Sequence, residues 1–244
     1  MLENYINKNG DALEINYICP DDFDPSKRYP AIVIVHGGGW IQGTISQWGW
    51  LAKRFNKEGF VAVLPEYRTK STHNTTPIDG IEDIKDAFDY IKNTADSHSI
   101  DLQRVVGIGL SAGGHMVALM ECAGHFGHQG FFSEMLLCYP ACNSAPGGFE
   151  NEQFGEQWEK YCPHTNLEKI PPTAIAVGAD DSFASMCRRF TIKALEKGND
   201  CEMHIFSDDV HGFKKHPDNR EYYIQKFILF LKAHLFDFSP SKGE

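Results

Sequence analysis

The sequence lacks the features of a membrane-spanning or disulfide-stabilised protein. No apolar run reaches the roughly 18 residues needed to cross a bilayer. The N-terminal stretch MLENYINKNGDALEI has neither the basic region nor the apolar core of a secretory signal, so we expect a cytoplasmic protein. No C-x-x-C pair occurs and the cysteines are odd in number, which favours reduced thiols. They are Cys19, Cys122, Cys138, Cys142, Cys162, Cys187 and Cys201.

Excess positive charge is also missing. The chain has 23 Lys and Arg against 33 Asp and Glu, a formal net charge of −10, and its basic residues are scattered. A polyanion would be repelled, so we expect no nucleic-acid partner and no membrane partner. A small, uncharged substrate is easier to reconcile with this balance.

Metal-ligand spacing is absent as well. His125 and His128 are separated by two residues, but no third ligand follows at a suitable distance in the sequence. The sequence therefore predicts no metal and no cofactor.

Short apolar runs alternate with longer amphipathic stretches from Tyr29 onward, a pattern typical of a parallel sheet flanked by helices. The apolar runs lie at 31–35, 60–64, 105–110, 135–139, 174–178 and 202–206, and the helical patterns at 46–58, 80–95, 112–123, 184–198 and 218–235. Residues 12–19 alternate loosely and predict an antiparallel edge strand. We predict an α/β fold in one domain over residues 1–244, with a mostly parallel central sheet, helices on both faces and no large cap.

One segment, residues 141–172, interrupts the alternation. It is rich in Pro, Gly and aromatic residues and lies between two predicted strands, at the end of the sheet where ligands bind in such folds. It is either a lid or pocket wall, or an ordinary long connection.

The stretch GLSAG, residues 109–113, matches G-x-S-x-G and lies between an apolar run and a helical pattern. A nucleophile elbow requires this strand–turn–helix context, and glycines two residues on either side of the serine leave room for the main chain. We therefore expect Ser111 to be a nucleophile. The main-chain N–H of Ala112, at the helix N-terminus, would face a developing oxyanion.

A glycine-rich loop, HGGGW at residues 36–40, follows the first buried strand. Consecutive glycines let main-chain N–H groups approach a ligand, and an earlier βα loop is where the second oxyanion donor of such a site lies. The alternative is a flexible turn without a function. His36 is expected to order this loop by hydrogen bonds.

Ser111 needs a base, and the chain order serine, acid, histidine places that base after the last strand. His211 lies there, whereas His115 is one helical turn beyond the serine and is expected to pack. The acid belongs after the penultimate strand, where GADDS offers Asp180 and Asp181. Strand periodicity does not distinguish these two carboxylates.

Together, these blocks resemble the α/β-hydrolase serine esterases, in the branch shared by hormone-sensitive-lipase-like enzymes and small bacterial carbohydrate acetyl esterases. The resemblance covers residues 29–213 through HGGGW (36–40), PEYR (65–68), GLSAGGH (109–115), PPT (171–173) and HGF (211–213). It implies a catalytic triad. In this family the acid stands three residues after the glycine that ends the strand, and counting from Gly178 selects Asp181. That triad is Ser111, Asp181 and His211.

The resemblance also implies an oxyanion hole formed by the main chain of Gly38, Gly39 and Ala112. Trp40 and Phe183 are expected to contact the substrate. The family often has an apolar residue and proline after the acid, where this chain reads Ser182-Phe183-Ala184, and it often has glycine before the histidine, where this chain has residues 208–210. Substrate preference is therefore not transferred with the triad.

The function that the resemblance implies is a serine carboxylesterase for small acyl esters, foremost acetyl esters of sugars or xylo-oligosaccharides. The same triad fits a hydroxycinnamoyl esterase, an arylformamidase-like amidase or a peptidase. A protein of another class, a catalytically silent relative that binds a small ligand, is the further alternative. The complete triad and glycine loop favour the enzyme.

Overall fold

The computed structural model describes residues 1–234 and the backbone of residues 241 and 242, and within them nine strands form one sheet. Their bounds are β1 Leu2–Ile6, β2 Ala12–Ile18, β3 Lys27–Val35, β4 Val61–Pro65, β5 Ile100–Leu110, β6 Glu134–Cys138, β7 Thr173–Gly178, β8 Cys201–Phe206 and β9 Ser241–Lys242.

The strand order is β1-β2-β4-β3-β5-β6-β7-β8, and β9 pairs with β3. All neighbours from β4 to β8 along this order are parallel, while β1 with β2, β2 with β4, and β3 with β9 are antiparallel. The predicted mostly parallel sheet of an α/β fold is confirmed. It is the sheet of an α/β-hydrolase.

The prediction that residues 12–19 form the sheet edge is wrong in position. The strand is antiparallel as expected, but β1 pairs along its outer side. This edge strand could not be predicted from its sequence, LENYI. Only Tyr5 is buried in it, and its apolar residues do not alternate with polar ones.

Eight α-helices connect the strands of the described chain. They are α1 Gly49–Asn56, α2 Lys70–His73, α3 Pro77–Thr94, α4 Ala112–Cys122, α5 Asn151–Phe154, α6 Pro163–Asn166, α7 Ala184–Glu196 and α8 Asn219–His234. Leu235, expected on the apolar face of the last helix, lies outside the described residues. None of the helices described is long and apolar enough to cross a membrane.

Local sequence explains why α3 begins where it does. The hydroxyl of Thr76 accepts the main-chain N–H of Asp79, and the Asp79 carboxylate accepts the N–H of Thr76 in return. Pro77 occupies the first helical position, where its missing N–H has no partner to lose.

The segment 141–172 is packed against the body of the protein. Phe154 and Tyr161 are buried, and the Tyr161 hydroxyl donates to the Glu82 carboxylate at 2.9 Å. Phe149 is half-buried and lies on the wall of a cavity beside Ser111. This placement is compatible with a pocket wall, and movement as a lid stays a prediction.

Candidate active site

The carboxyl ends of five parallel strands bring the predicted site residues to one edge of the sheet. The glycine loop follows β3, Ser111 follows β5 and Tyr139 follows β6. Asp181 and His211 lie in the loops after β7 and β8. Residues that are distant in sequence therefore meet because parallel strands end together.

Ser111 occupies a strained turn between β5 and α4. Its backbone angles are φ 54° and ψ −115°. Residues other than glycine rarely adopt this conformation, which costs about 1–3 kcal/mol. The surrounding main chain holds it there, since Ser111 N–H donates to the carbonyl of Cys138 at 3.0 Å and Ala141 N–H donates to the carbonyl of Ser111 at 3.1 Å. The serine hydroxyl is thereby presented to the cavity.

Gly109 and Gly113 permit this turn, as the sequence predicts. A Cβ on Gly113 would lie 2.1 Å from the carbonyl oxygen of Val35, and one on Gly109 would lie 2.5 Å from the Cα of Gly114. No side chain fits at either position.

The structure brings Ser111, His211 and Asp181 into one line of contacts. Ser111 Oγ lies 3.0 Å from His211 Nε2, and His211 Nδ1 lies 2.9 Å from Asp181 Oδ2. The Asp181 side chain is fully buried and also accepts the main-chain N–H of Phe183 at 2.8 Å. Asp180 is exposed, and its N–H donates to the carbonyl of Asp209. Of the two adjacent acids, Asp181 contacts the imidazole.

Two aromatic rings hold the His211 imidazole in place. Tyr139 and Phe183 each pack against it edge-on, with ring centroids 4.8 Å away. Phe183 was expected at the site, but Tyr139 was assigned to the end of a strand. Its position directly after β6, at the edge of the sheet that carries the site, is the sequence signal that could have revealed it.

The glycine loop runs alongside Ser111. A Cβ on Gly37 would lie 2.9 Å from Ser111 Cβ, and one on Gly38, whose φ is 121°, would lie 1.7 Å from the carbonyl oxygen of Gln42. Within the described residues, the N–H groups of Gly38 and Gly39 donate to no protein atom. As the first residue of α4, Ala112 also has no intrahelical acceptor for its N–H.

His36 orders this loop, as predicted. Its Nδ1 lies 2.8 Å from the carbonyl oxygen of Gly37, its Nε2 lies 2.6 Å from Glu66 Oε1, and its ring stacks on Tyr67 at 4.2 Å. Glu66 Oε2 accepts the main-chain N–H of Ile45 at 3.0 Å. One carboxylate therefore ties together both ends of the loop, a role that the sequence did not reveal.

A cavity of about 730 Å³ opens in front of Ser111, and we call it the site cavity. Its wall includes residues 37–39, Phe149 and Phe183. Trp40 is 1% exposed and lies beneath Phe149, with ring centroids 5.9 Å apart. The structure thus puts Phe183 on the wall and Trp40 behind it. Further lining residues, which the sequence did not single out, are Gln47, Trp48, Lys214 and Arg220.

Two further histidines, His115 and His128, are buried. Burial lowers the pKa of His115 to about 3, and the ring packs against Trp40 and Phe154. Burial, with Lys92 nearby, lowers the pKa of His128 to about 4. All seven cysteines are free thiols. Across the described part of the chain, no group of three or more potential ligands is arranged to hold a metal ion.

Known proteins resemble this chain in sequence and in fold. A family model described as BD-FAE matches residues 20–134, just under half of the chain. The structure of a thermophilic esterase from Thermogutta terrifontis with propionate bound has a TM-score of 0.88 to this one at 25% identity, covering 97% of this chain and 94% of that chain.

Two curated proteins match with lower coverage of their own length. The acetylxylan esterase of Xylanibacter ruminicola is 25% identical over 215 residues, which are 80% of this chain and 43% of that protein. The dipeptidyl-peptidase 5 of Aspergillus oryzae is 29% identical over 127 residues, 47% of this chain and 17% of that protein. The chain therefore spans less than half the length of either curated relative. By its sheet and by these neighbours, the chain has the α/β-hydrolase fold, and the matching solved structure is that of an esterase.

Proposed function

We propose that the protein is a serine carboxylesterase that hydrolyses small acyl esters through an acyl-enzyme. The observation that carries the proposal is the line of contacts from Ser111 Oγ through His211 to the buried Asp181, opening on the site cavity. A nucleophile, a base and a group that orients the base, each within hydrogen-bond distance of the next, are what acyl transfer needs.

In the first step, Ser111 Oγ attacks the ester carbonyl carbon while His211 Nε2 takes the hydroxyl proton. Asp181 keeps the other imidazole nitrogen protonated and stabilises the imidazolium that forms. Because Asp181 is fully buried and receives the N–H of Phe183, its carboxylate is held in the orientation that this role requires.

Negative charge then develops on the former carbonyl oxygen. The N–H groups of Gly38, Gly39 and Ala112 are the donors we propose for it, since none is used within the described fold and the loop lies against Ser111. Loss of one such donor reduces kcat by about 100-fold to 1,000-fold in enzymes of this kind.

The tetrahedral intermediate collapses when His211 gives its proton to the leaving alcohol oxygen, leaving the acyl group on Ser111. Water then attacks the acyl carbon while His211 removes its proton. The second tetrahedral intermediate collapses by breaking the bond to Ser111 Oγ, which takes the proton back from His211, and the carboxylic acid leaves. The same three side chains thus act in both halves of the reaction.

Small acyl groups, acetyl foremost, are the proposed acyl part of the substrate, and acetylated sugars or xylo-oligosaccharides are the leading alcohols. Phe149 and Phe183 support a small acyl group, because their rings meet at 4.9 Å and narrow the site cavity beside His211. The acetylxylan esterase relative supports the sugar alcohol. A hydroxycinnamoyl esterase and an arylformamidase-like amidase are the alternatives with the same triad.

The match to a dipeptidyl-peptidase favours a peptidase as the second candidate. A peptidase that recognises the cationic N-terminus of a peptide needs carboxylates near its nucleophile. No Asp or Glu stands among the described residues that line the site cavity. The lining therefore favours an ester over such a peptide.

Hydrolysis of p-nitrophenyl acetate by the wild type and by Ser111→Ala tests the proposal. We expect turnover in the wild type, loss of it in the variant, and labelling of Ser111 by a fluorophosphonate. Equal rates in the two proteins would contradict the proposal, and failure to label Ser111 would point to the silent ligand-binding alternative. Acetylated sugars, feruloyl esters and N-formyl amides then separate the candidate substrates.

A further inference from the structure

The charge of the site cavity is opposite to that of the whole protein. Lys214 and Arg220 are its charged lining residues besides the catalytic histidine, and no acidic residue lines it within the described chain. The formal net charge of the protein is −10. Two cations at the nucleophile in an acidic protein are therefore a local feature, which the expectation of an uncharged substrate does not explain.

These two cations differ from their neighbours in how they are paired. Lys215 and His216 both contact the carboxylate of Asp208, which offsets the charge of Lys215. Lys214 and Arg220 form no ion pair with any residue in the described ranges. Each is exposed, so its charge is available to a ligand in the cavity.

Both cations stand on the side of the site cavity that the leaving alcohol occupies. His211 Nε2 protonates the alcohol oxygen in the proposed mechanism, so the alcohol must extend from the His211 side of Ser111. Gly212 follows His211 directly. Lys214 Cε lies 3.7 Å from where a Cβ on Gly212 would be, and the Arg220 guanidinium donates to the Gly212 carbonyl at 3.4 Å.

A smaller cavity of about 140 Å³ adjoins the site cavity and shares Trp48, Tyr139 and Arg220 with it. It is lined by Trp48 and Trp50, whose ring centroids are 6.2 Å apart, and by Tyr139. Trp50 is 42% exposed, so part of its aromatic surface is available for contact with a flat ring. Arg220 lines both cavities.

We propose that the alcohol part of the ester substrate is a ring that bears a carboxylate, bound by Lys214 and Arg220. Arginine suits this group, since its planar fork matches the two oxygens of a carboxylate. The inference rests on the proposed esterase function and specifies the alcohol that the site accepts.

A pair of matched esters tests the inference. 3-Acetoxybenzoate carries a carboxylate on its leaving phenol, and 3-acetoxybenzamide is the uncharged ester of nearly the same shape. We expect the wild type to show about tenfold higher kcat/KM for the carboxylate, mainly through KM, a difference that two partly exposed ion pairs can supply. The preference should shrink in about 0.5 M NaCl, because salt screens exposed charges.

In the double variant Lys214→Gln, Arg220→Gln we expect the ratio of the two kcat/KM values to fall to about one. This ratio does not depend on the fraction of enzyme that is folded, so partial misfolding does not disturb it. Lys215→Gln is the matched control, since it removes an adjacent cation that Asp208 already neutralises. It should keep the wild-type ratio.

Three results would overturn the inference. They are a wild-type ratio near one, an unchanged ratio in the double variant, and an equal loss of preference in Lys215→Gln. If the wild type hydrolyses neither these esters nor p-nitrophenyl acetate, the proposed esterase function itself fails, whereas hydrolysis of p-nitrophenyl acetate alone contradicts this inference. Hydrolysis of the benzamide ester without charge preference contradicts this inference alone.

Discussion

Glu66 Oε1 lies 2.6 Å from His36 Nε2, beneath the glycine loop. On its other side, the imidazole contacts the carbonyl oxygen of Gly37 at 2.8 Å. The His36 ring therefore bridges the Gly37 carbonyl and the Glu66 carboxylate. The second oxygen of Glu66 holds the main-chain N–H of Ile45. The proposed oxyanion donors therefore depend on a carboxylate that lies outside the triad.

Replacing Glu66 should impair the loop without removing a reacting group. For Glu66→Gln we expect kcat on p-nitrophenyl acetate to fall about tenfold with a small change in KM, because a misplaced N–H affects the transition state more than substrate binding. We also expect a loss of about 2 kcal/mol in the free energy of unfolding, since the buried His36 ring loses its hydrogen bond to a carboxylate.

Glu58→Gln is the control for this variant. The Glu58 side chain is 21% exposed against 18% for Glu66, and it pairs with Arg54 at 2.9 Å, at the end of α1. Its replacement should leave kcat unchanged. Equal kcat values for the two variants would show that Glu66 does not position the loop.

The two adjacent aspartates should differ sharply in their effect on activity. Asp181→Asn should lower kcat by about 1,000-fold to 10,000-fold, because an amide favours the wrong imidazole tautomer. Asp180→Asn should remain within about twofold of the wild type, as expected for an exposed position away from the reacting groups. Steady-state kinetics on p-nitrophenyl acetate measure both, and a larger loss in Asp180→Asn would reverse the assignment.

These aspartates also mark how far the sequence could predict the site. The order of strands required a carboxylate after β7, but adjacent residues share the same local pattern, and only packing against His211 separates them. Resemblance to a family supplied the choice through a residue count. Ser111, His211 and the glycine loop could be predicted because each stands in a short local motif that follows a predicted strand.

The residues that the sequence did not reveal act through tertiary contacts. Tyr139 reads as the last residue of an apolar strand, and its contact with His211 appears only when β6 and β8 end at one edge. Lys214 and Lys215 are adjacent residues of the same type, so the sequence does not distinguish them. In the structure Lys215 pairs with Asp208, and only Lys214 lines the site cavity. The edge strand β1 escaped because a short strand that buries one residue leaves no periodic signal.

Two neighbouring glycines of the loop should respond differently to an added methyl group. A Cβ on Gly38 would overlap the carbonyl oxygen of Gln42 at 1.7 Å, whereas one on Gly39 would meet only Phe149, at 3.7 Å. We expect Gly38→Ala to reduce kcat by about 100-fold or more, because the loop must move away from Ser111. Gly39→Ala keeps its space but not its favoured conformation, and should cost about 1 kcal/mol of stability.

Thermal melts and kcat values measured on the same preparations check this pair. Both proteins should unfold cooperatively, so that the loss in Gly38→Ala is assigned to the loop and not to a failure to fold. If Gly39→Ala loses as much activity as Gly38→Ala, steric overlap with Gln42 is not the cause.

The stability of the protein should depend on pH through His115. Burial holds the pKa of His115 at about 3 in the folded state, whereas an unfolded chain binds the proton near pH 6.5. Between these two values the unfolded state binds more protons, so acidification favours unfolding. From pH 7 to pH 5 this single group should remove about 2 kcal/mol from the free energy of unfolding.

His115→Phe isolates this effect, because a phenyl ring can fill the space against Trp40 and Phe154 without taking up a proton. Urea unfolding at pH 7 and pH 5 should show that the variant loses about 2 kcal/mol less than the wild type over this interval. His73→Gln, at an exposed position, should keep the wild-type dependence. If the wild type and His115→Phe lose equal stability between these pH values, the imidazole of His115 is not the group that links acid to unfolding. His128, whose pKa is also lowered by burial, is then the residue to replace.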